Sequence, residues 1–250
     1  MKRILNFLKN VVLVSILLVT WNCRNEPKTM KTENLHFSGY DWWIKSSQTP
    51  VGPGPNHFSG SSNNVWLDET GQLHMKITNR DDKWYCAEVV SLQNFGYGKY
   101  VIRLASRFEV LNENVVVGLF TWSDTPNYHH REIDIELSRW GDPVNANSQY
   151  VVQPWDTPGN IHRFEVQLSD RFSTHIFDWR SDQITWQTYA GISPLPIADS
   201  LLVQTWSYRG ADIPKPGDEN FRINFWLMEG RPPTNNKEAE VVVNQVEFIP

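Results

Sequence analysis

Only two cysteines, Cys23 and Cys86, occur in the 250 residues, so the chain is not a disulfide-stapled scaffold and must rely on an ordinary hydrophobic core. Long apolar runs are missing too: the nine residues Val11 to Val19 (VVLVSILLV) fall well short of the ~20 that a membrane-spanning helix needs. There is no surplus of positive charge. Against 23 Lys and Arg stand 28 Asp and Glu, a formal charge of −5, which disfavours nucleic acid as a partner. No internal repeat is evident, and no window beyond the first 22 residues carries the i, i+3, i+4, i+7 apolar stripe of an amphipathic helix. What is present, 40% hydrophobic and 20% charged residues, suits one large globular domain rather than a disordered chain.

Residues 1 to 22 read as an export signal, with Lys2, Arg3 and Lys9 ahead of the short apolar stretch. Cys23 directly follows it and resembles a bacterial lipoprotein cleavage site, although Trp21 and Asn22 stand where small residues are usual. Both a lipid anchor on Cys23 and ordinary secretion fit, so the protein is expected to be exported and to touch a membrane only through that lipid. Arg24 to Asn34 is polar and aperiodic, a flexible tether, leaving 35–250 as the folded domain, expected to be a monomer. With Cys23 lipidated, Cys86 has no partner and reads as a small buried hydrophobe.

The domain keeps returning to strand patterns. Val65-Trp66-Leu67, a turn at Asp68 to Gly71, and alternating Leu73, Met75 and Ile77 form a hairpin. Tyr100, Ile102 and Leu104 alternate, as do Phe164, Val166 and Leu168. Thr174 to Trp179 and Gln183 to Gln187 flank a turn at Arg180-Ser181-Asp182, and Val241 to Phe248 supplies a last strand. Many short strands over one domain of this size predict an all-β fold, a two-sheet antiparallel jelly-roll sandwich with a concave groove.

The most informative segment is Arg131-Glu132-Ile133-Asp134-Ile135-Glu136-Leu137. Successive strand side chains point to opposite faces, so Glu132, Asp134 and Glu136 share one face while Ile133, Ile135 and Leu137 enter the core. Crowded carboxylates raise the pKa of at least one member, and a proton donor beside an ionised carboxylate is what glycoside hydrolysis requires. At ~3.3 Å per residue the Cα atoms of the two glutamates lie about 13 Å apart, and inward-leaning side chains bring the carboxyls to roughly the 5 Å of a retaining enzyme. Double displacement follows, with one Glu as nucleophile, the other as acid/base and Asp134 tuning both. The competing interpretation is a half-buried strand whose wet face is merely acidic.

Twelve tryptophans exceed what a core needs, and an indole offers sugar C–H faces a flat apolar surface plus one donor. Trp66, Trp179 and Trp186 are expected in the core. About half of Trp42, Trp43, Trp122, Trp155, Trp206 and Trp226 are expected in the groove.

Taken together these residues resemble glycoside hydrolase family 16, the jelly-roll family of lichenases and laminarinases, with E-I-D-I-E as its signature. Ala87-Glu88, Phe95 to Tyr100, Gly118-Leu119-Phe120-Thr121-Trp122, His175 to Trp179, Ile184-Thr185-Trp186 and Ile223-Asn224-Phe225-Trp226 follow in matching order, from about Asp41 to Phe248. The resemblance implies Glu132 as nucleophile, Asp134 as its tuner and Glu136 as acid/base, with sugar contacts from Asn56, Glu88, Trp122, Asn224 and Trp226. No cofactor is implied. Where lichenases carry a Trp two residues before the nucleophile this chain has His130, counted among the substrate-binding candidates. An Arg expected shortly after Glu88 is replaced by Val89, Val90 and Ser91, and Val151 and Gln153 depart from the family's sugar contacts. The resemblance therefore implies a polysaccharide of β-glucan or galactan type, without assigning the linkage.

Three rivals remain. A metal held by His130, Glu132, Asp134 and Glu136 is disfavoured, because ligands along one straight strand cannot converge into a shell. A lectin-like surface lipoprotein on the same sandwich is the main alternative, since fold does not fix function. A structural or adhesive surface role is the third.

Overall fold

The computed structural model describes residues 34–250; the export signal at 1–22, Cys23 and the tether up to residue 33 lie outside the described residues. In chain order the strands are β1 (Asn34–Phe37), β2 (Tyr40–Ile44), β3 (His57–Phe58), β4 (Val65–Leu67), β5 (Leu73–Arg80), β6 (Lys83–Ser91), β7 (Gly98–Ala105), β8 (Val115–Trp122), β9 (Ile133–Leu137), β10 (Ser148–Val152), β11 (Ile161–Phe164), β12 (Phe172–Trp179), β13 (Ile184–Ala190), β14 (Leu202–Tyr208), β15 (Asn220–Leu227) and β16 (Ala239–Ile249). Helix among the described residues is limited to four three-residue 3-10 turns, as the missing helical periodicity requires.

One layer runs β11-β10-β9-β8-β15-β6-β2-β1 and the other β4-β5-β16-β7-β12-β13-β14. The pairings are antiparallel apart from β3, which lies parallel to β6. The layers are joined where β5 and β6 pair only near their hairpin, Thr78↔Tyr85 to Arg80↔Lys83, before β5 continues in one sheet and β6 in the other. This is the antiparallel two-sheet jelly roll expected from the strand pattern.

The core lies between the layers. Ile133 and Ile135 are fully buried and Leu137 nearly so, and facing them across the interior Trp186 Nε1 donates to the Asp134 carbonyl at 3.1 Å. That bond ties the acidic strand to the opposite sheet. Trp179 and Trp186 are core residues as expected, but Trp66 is not. Val65 and Met75 point inward, so the two-residue period turns Trp66 and its partner His74 outward, where the rings stack at 4.8 Å. Regular pairing also stops at Phe164, with Val166 and Leu168 buried beyond the end of the strand.

Candidate active site

Entry into β9 is built around a backbone turn of unusual hand. Tyr128, His129, His130 and Arg131 all have φ between 50° and 63°, the left-handed region that costs L-residues about 1–2 kcal/mol each. Neighbours hold the turn in place. The Arg131 guanidinium donates to the Lys215 carbonyl at 3.0 Å and pairs with Asp218 at 3.2 Å and Glu219 at 3.8 Å. Buried Thr121 donates to the Arg131 carbonyl at 2.7 Å and accepts from the Ile133 amide at 3.2 Å. The backbone is extended again from Glu132, so Glu132, Asp134 and Glu136 fall on one face.

Cross-strand register then sets their neighbours. One row reads Glu88, Asn224, Gly118, Glu136, Gln149 and Arg163; the adjacent row reads Trp43, Val90, Arg222, Phe120, Asp134 and Val151. These rows floor a cavity of about 590 Å³ that all three carboxylates line. Trp43, Trp122 and Trp226 form its aromatic surfaces, three of the six tryptophans considered for the groove. Trp42, next to Trp43 but on the other strand face, is fully buried, and Trp155 is exposed.

Burial raises the pKa of all three carboxylates. Glu132 is pushed up to about 8, first by burial and then by the charge of Glu136, while a hydrogen bond from Asp134 and the charge of Arg222 pull it down. Asp134, the more deeply buried, lies well above the usual carboxylate range through burial and both glutamate charges. Glu136 is raised by burial and held back by the Gln149 amide and the Arg163 charge. Groups coupled this closely titrate as a set. A proton shared by hydrogen bond between Asp134 and Glu132 accounts for the raised values of both.

The other sequence-derived candidates divide. Glu88, Trp122, Asn224 and Trp226 line the cavity. Glu88 is paired with Lys45 at 2.8 Å and lies 3.7 Å from Arg222. Asn56 does not reach the cavity: its amide donates to the carbonyls of Pro53 at 2.9 Å and Leu227 at 2.8 Å, and its oxygen accepts from buried Cys86. It braces the loop whose Val51, Gly52 and Pro53 do line the wall. His130 is displaced by the left-handed turn from the face of the carboxylates; its ring stacks on Trp122 at 4.2 Å and its Nδ1 lies 2.8 Å from the Ser123 carbonyl. His130 therefore stands outside the carboxylate row, touching the cavity wall only through the Trp122 ring. Burial pushes the Cys86 thiol up to about 12, the behaviour of an inert core residue.

Several contributors escaped sequence reasoning. Gln149 donates to Glu136 and Gln153 to Asp134 at 3.3 Å, and Arg222 lines the same cavity from β15. Strand register reveals Gln149 and Arg222, and the bond from Gln153 follows one residue beyond the last β9–β10 pair.

No family model matches the chain. It is 24% identical over 224 residues to the beta-glucanase of Bacillus subtilis (strain 168), covering 85% of this chain and 89% of that one. Identity to the beta-glucanase of Bacillus amyloliquefaciens is 25% over 162 residues, 60% of this chain and 65% of the relative's length. Among solved structures, the Bacillus licheniformis beta-glucanase superposes with a TM-score of 0.59 at 21% identity, covering 89% of this chain and all of that one. A laminarinase from Flavobacterium sp. UMI-01 gives 0.62 at 13%, covering 87% and 99%. A Mycobacterium tuberculosis protein described as a pseudo beta-1,3-glucanase gives 0.59 at 19%, covering 82% and 89%.

Proposed function

Because the chain is a relative of the bacterial beta-glucanases and resembles glycoside hydrolase family 16 in sequence and fold, we propose that it is a retaining glycoside hydrolase acting on a β-glucan. The observation that carries this reading is the carboxylate trio of Glu132, Asp134 and Glu136, aligned on one strand face and opening into an aromatic-walled cavity. Glu136 protonates the departing glycosidic oxygen while Glu132 attacks the anomeric carbon. The resulting glycosyl ester on Glu132 is cleaved by a water that Glu136, now a base, deprotonates. Asp134 holds its proton toward Glu132, keeping the nucleophile ionised and oriented.

Charge in the cavity favours a neutral polymer. Lys45 and Arg222 are offset by Glu88 and Asp124, leaving the acidic trio to repel polyanions. Reducing-sugar release from a panel of β-glucans, galactans and agar-type polymers, measured for wild type and Glu132→Gln, tests the reading; proton NMR of the first product reads the anomer. Turnover lost in the variant, with retained configuration, supports it. Inversion sinks the double displacement.

The second reading is glycan binding without turnover, favoured by the pseudo-enzyme described on the same fold. Binding by wild type with no release from any polymer would establish it. We further propose export and tethering through Cys23, to be checked by the membrane partitioning of Cys23→Ser against wild type.

A further inference from the structure

Six buried side-chain polar atoms among the described residues lack a hydrogen-bond partner, and three of them belong to residues of the cavity: Trp43 Nε1, Arg222 Nε and Asn224 Oδ1. Proteins rarely leave buried donors and acceptors unmade, so a cluster of three in one place marks where a ligand's polar atoms belong. Two are donors and one is an acceptor. Arg222 and Asn224 are two residues apart on β15 and face the same way. Trp43 reaches the same row from β2, through Val90 on β6, two strand spacings or roughly 10 Å from Arg222.

The Arg222 guanidinium is already committed at its far end. One terminal nitrogen donates to Asp124 at 3.1 Å and the other lies 3.7 Å from Glu88, while Glu88 is itself paired with Lys45. Its charge is thus met inside the chain, and the remaining Nε–H suits a neutral oxygen better than an anion. Across the sheet, Asn224 is separated from Glu136 by Gly118 alone, a further two spacings or about 10 Å. The Asn224 oxygen leans back over Gly118 toward Glu136, whereas the Trp43 and Arg222 donors lie two strand spacings or more from the acidic strand and so address a part of the ligand displaced from the reacting bond.

We propose that Trp43 and Arg222, neither of which the resemblance marks, are specificity-determining residues. Together with Asn224 they bracket a neutral, unsubstituted sugar unit beyond the cleavage point. Trp43 Nε1–H and Arg222 Nε–H each donate to a sugar oxygen, and Asn224 Oδ1 accepts from a sugar hydroxyl. Rejection of substituted units follows, since a ligand that cannot make these bonds leaves buried groups unpaired.

This inference rests on the β-glucanase reading, and a substrate ladder separates the two. Values of kcat/KM for wild type, Trp43→Phe and Arg222→Leu are measured on β-gluco-oligosaccharides of increasing length, each at the variant's own pH optimum so that the charge of Arg222 on Glu132 does not confound the result. The expected loss grows with chain length and resides in KM, reaching about 3- to 10-fold for Trp43→Phe and about 10- to 100-fold for Arg222→Leu, the scale of a neutral and a charged hydrogen bond. Equal losses at every length, or none, overturn the bracket. Trp43→Phe removes the Nε1 donor with the five-membered half of the indole and keeps an aromatic ring on the wall, so the length dependence of its loss decides the matter should Arg222→Leu fold poorly. A wild type that cleaves and binds no β-glucan overturns the underlying function instead.

Discussion

The side-chain oxygen of Asn224 lies over Gly118, 2.3 Å from where a β-carbon on that glycine would stand. Gly118 separates Asn224 from Glu136 in the same cross-strand row, and its backbone is paired on both sides. It cannot retreat, and Asn224, 4% exposed, has little room to turn away. Gly118→Ala is expected to lower kcat/KM by about tenfold, with an overpacking cost of about 1–3 kcal/mol. Oligosaccharide kinetics beside thermal unfolding check both; unaltered kinetics in a folded variant would remove Asn224 from the site.

Burial of Glu132 carries a stability cost with a defined sign. Its folded-state value is pushed up to about 8, chiefly by burial and the neighbouring Glu136 charge, whereas the unfolded chain ionises near the ordinary Glu value of ~4.3. Below that pH both states hold the proton and nothing is lost. As pH rises toward 8 the unfolded chain releases its protons while the folded trio keeps one shared between Asp134 and Glu132, and folding weakens progressively. Glu132→Gln is therefore expected to match wild type near pH 4 and to exceed it at pH 8, the gap in Tm widening steadily between the two. Unfolding curves at the two pH values measure it. A constant difference would show that Glu132 takes no share in the retained proton.

How much of this was legible in the chain depends on the range of the interaction. The period-two alternation of Glu132 to Leu137 is local, and it correctly assigned the carboxylates to one face and Ile133 and Ile135 to the core. Trp66 was misplaced because its outward direction follows from Val65 and Met75 across a hairpin, not from its own hydrophobicity. His130 was misread because a regular strand was extended back through residues that adopt the left-handed region, for which Tyr-His-His-Arg gives no turn signal. Asn56 looked like a polar loop residue, yet its amide is spent on Pro53 and Leu227, the latter 171 residues away. Gln149, Arg163 and Arg222 became visible only with strand register, since nothing near them in sequence names Glu136 or Glu132 as a neighbour.

The left-handed turn before Glu132 offers a test of stored strain. His129 has φ 50° and is exposed, so glycine there relieves the steric cost without opening a cavity. His129→Gly is expected to stabilise the protein by about 0.5–1 kcal/mol, the relief being partly offset by a more flexible unfolded chain. Denaturant unfolding reads the gain. A destabilised variant would mean that the turn is held by the His129 side chain rather than by Arg131 and Thr121.

Gln149 bridges Arg163 and Glu136, and that bridge fixes which way its amide points. Its oxygen accepts from Arg163 Nε at 3.1 Å and from a terminal guanidinium nitrogen at 2.8 Å, so the amide nitrogen is turned toward the Glu136 carboxylate. A donor there favours the anion and pulls the Glu136 value down against the upward push of burial. In a double displacement Glu136 must be protonated for the first step, so its ionisation sets the alkaline limb of the kcat/KM profile. Gln149→Leu deletes the donor, while exposed Arg163 remains solvated over the Trp140 ring. The alkaline limb is expected to move upward by about one pH unit, since one unit corresponds to about 1.4 kcal/mol, the scale of such a bond, with the acidic limb displaced less. A shift confined to the acidic limb would exchange the two roles, making Glu136 the nucleophile and Glu132 the proton donor.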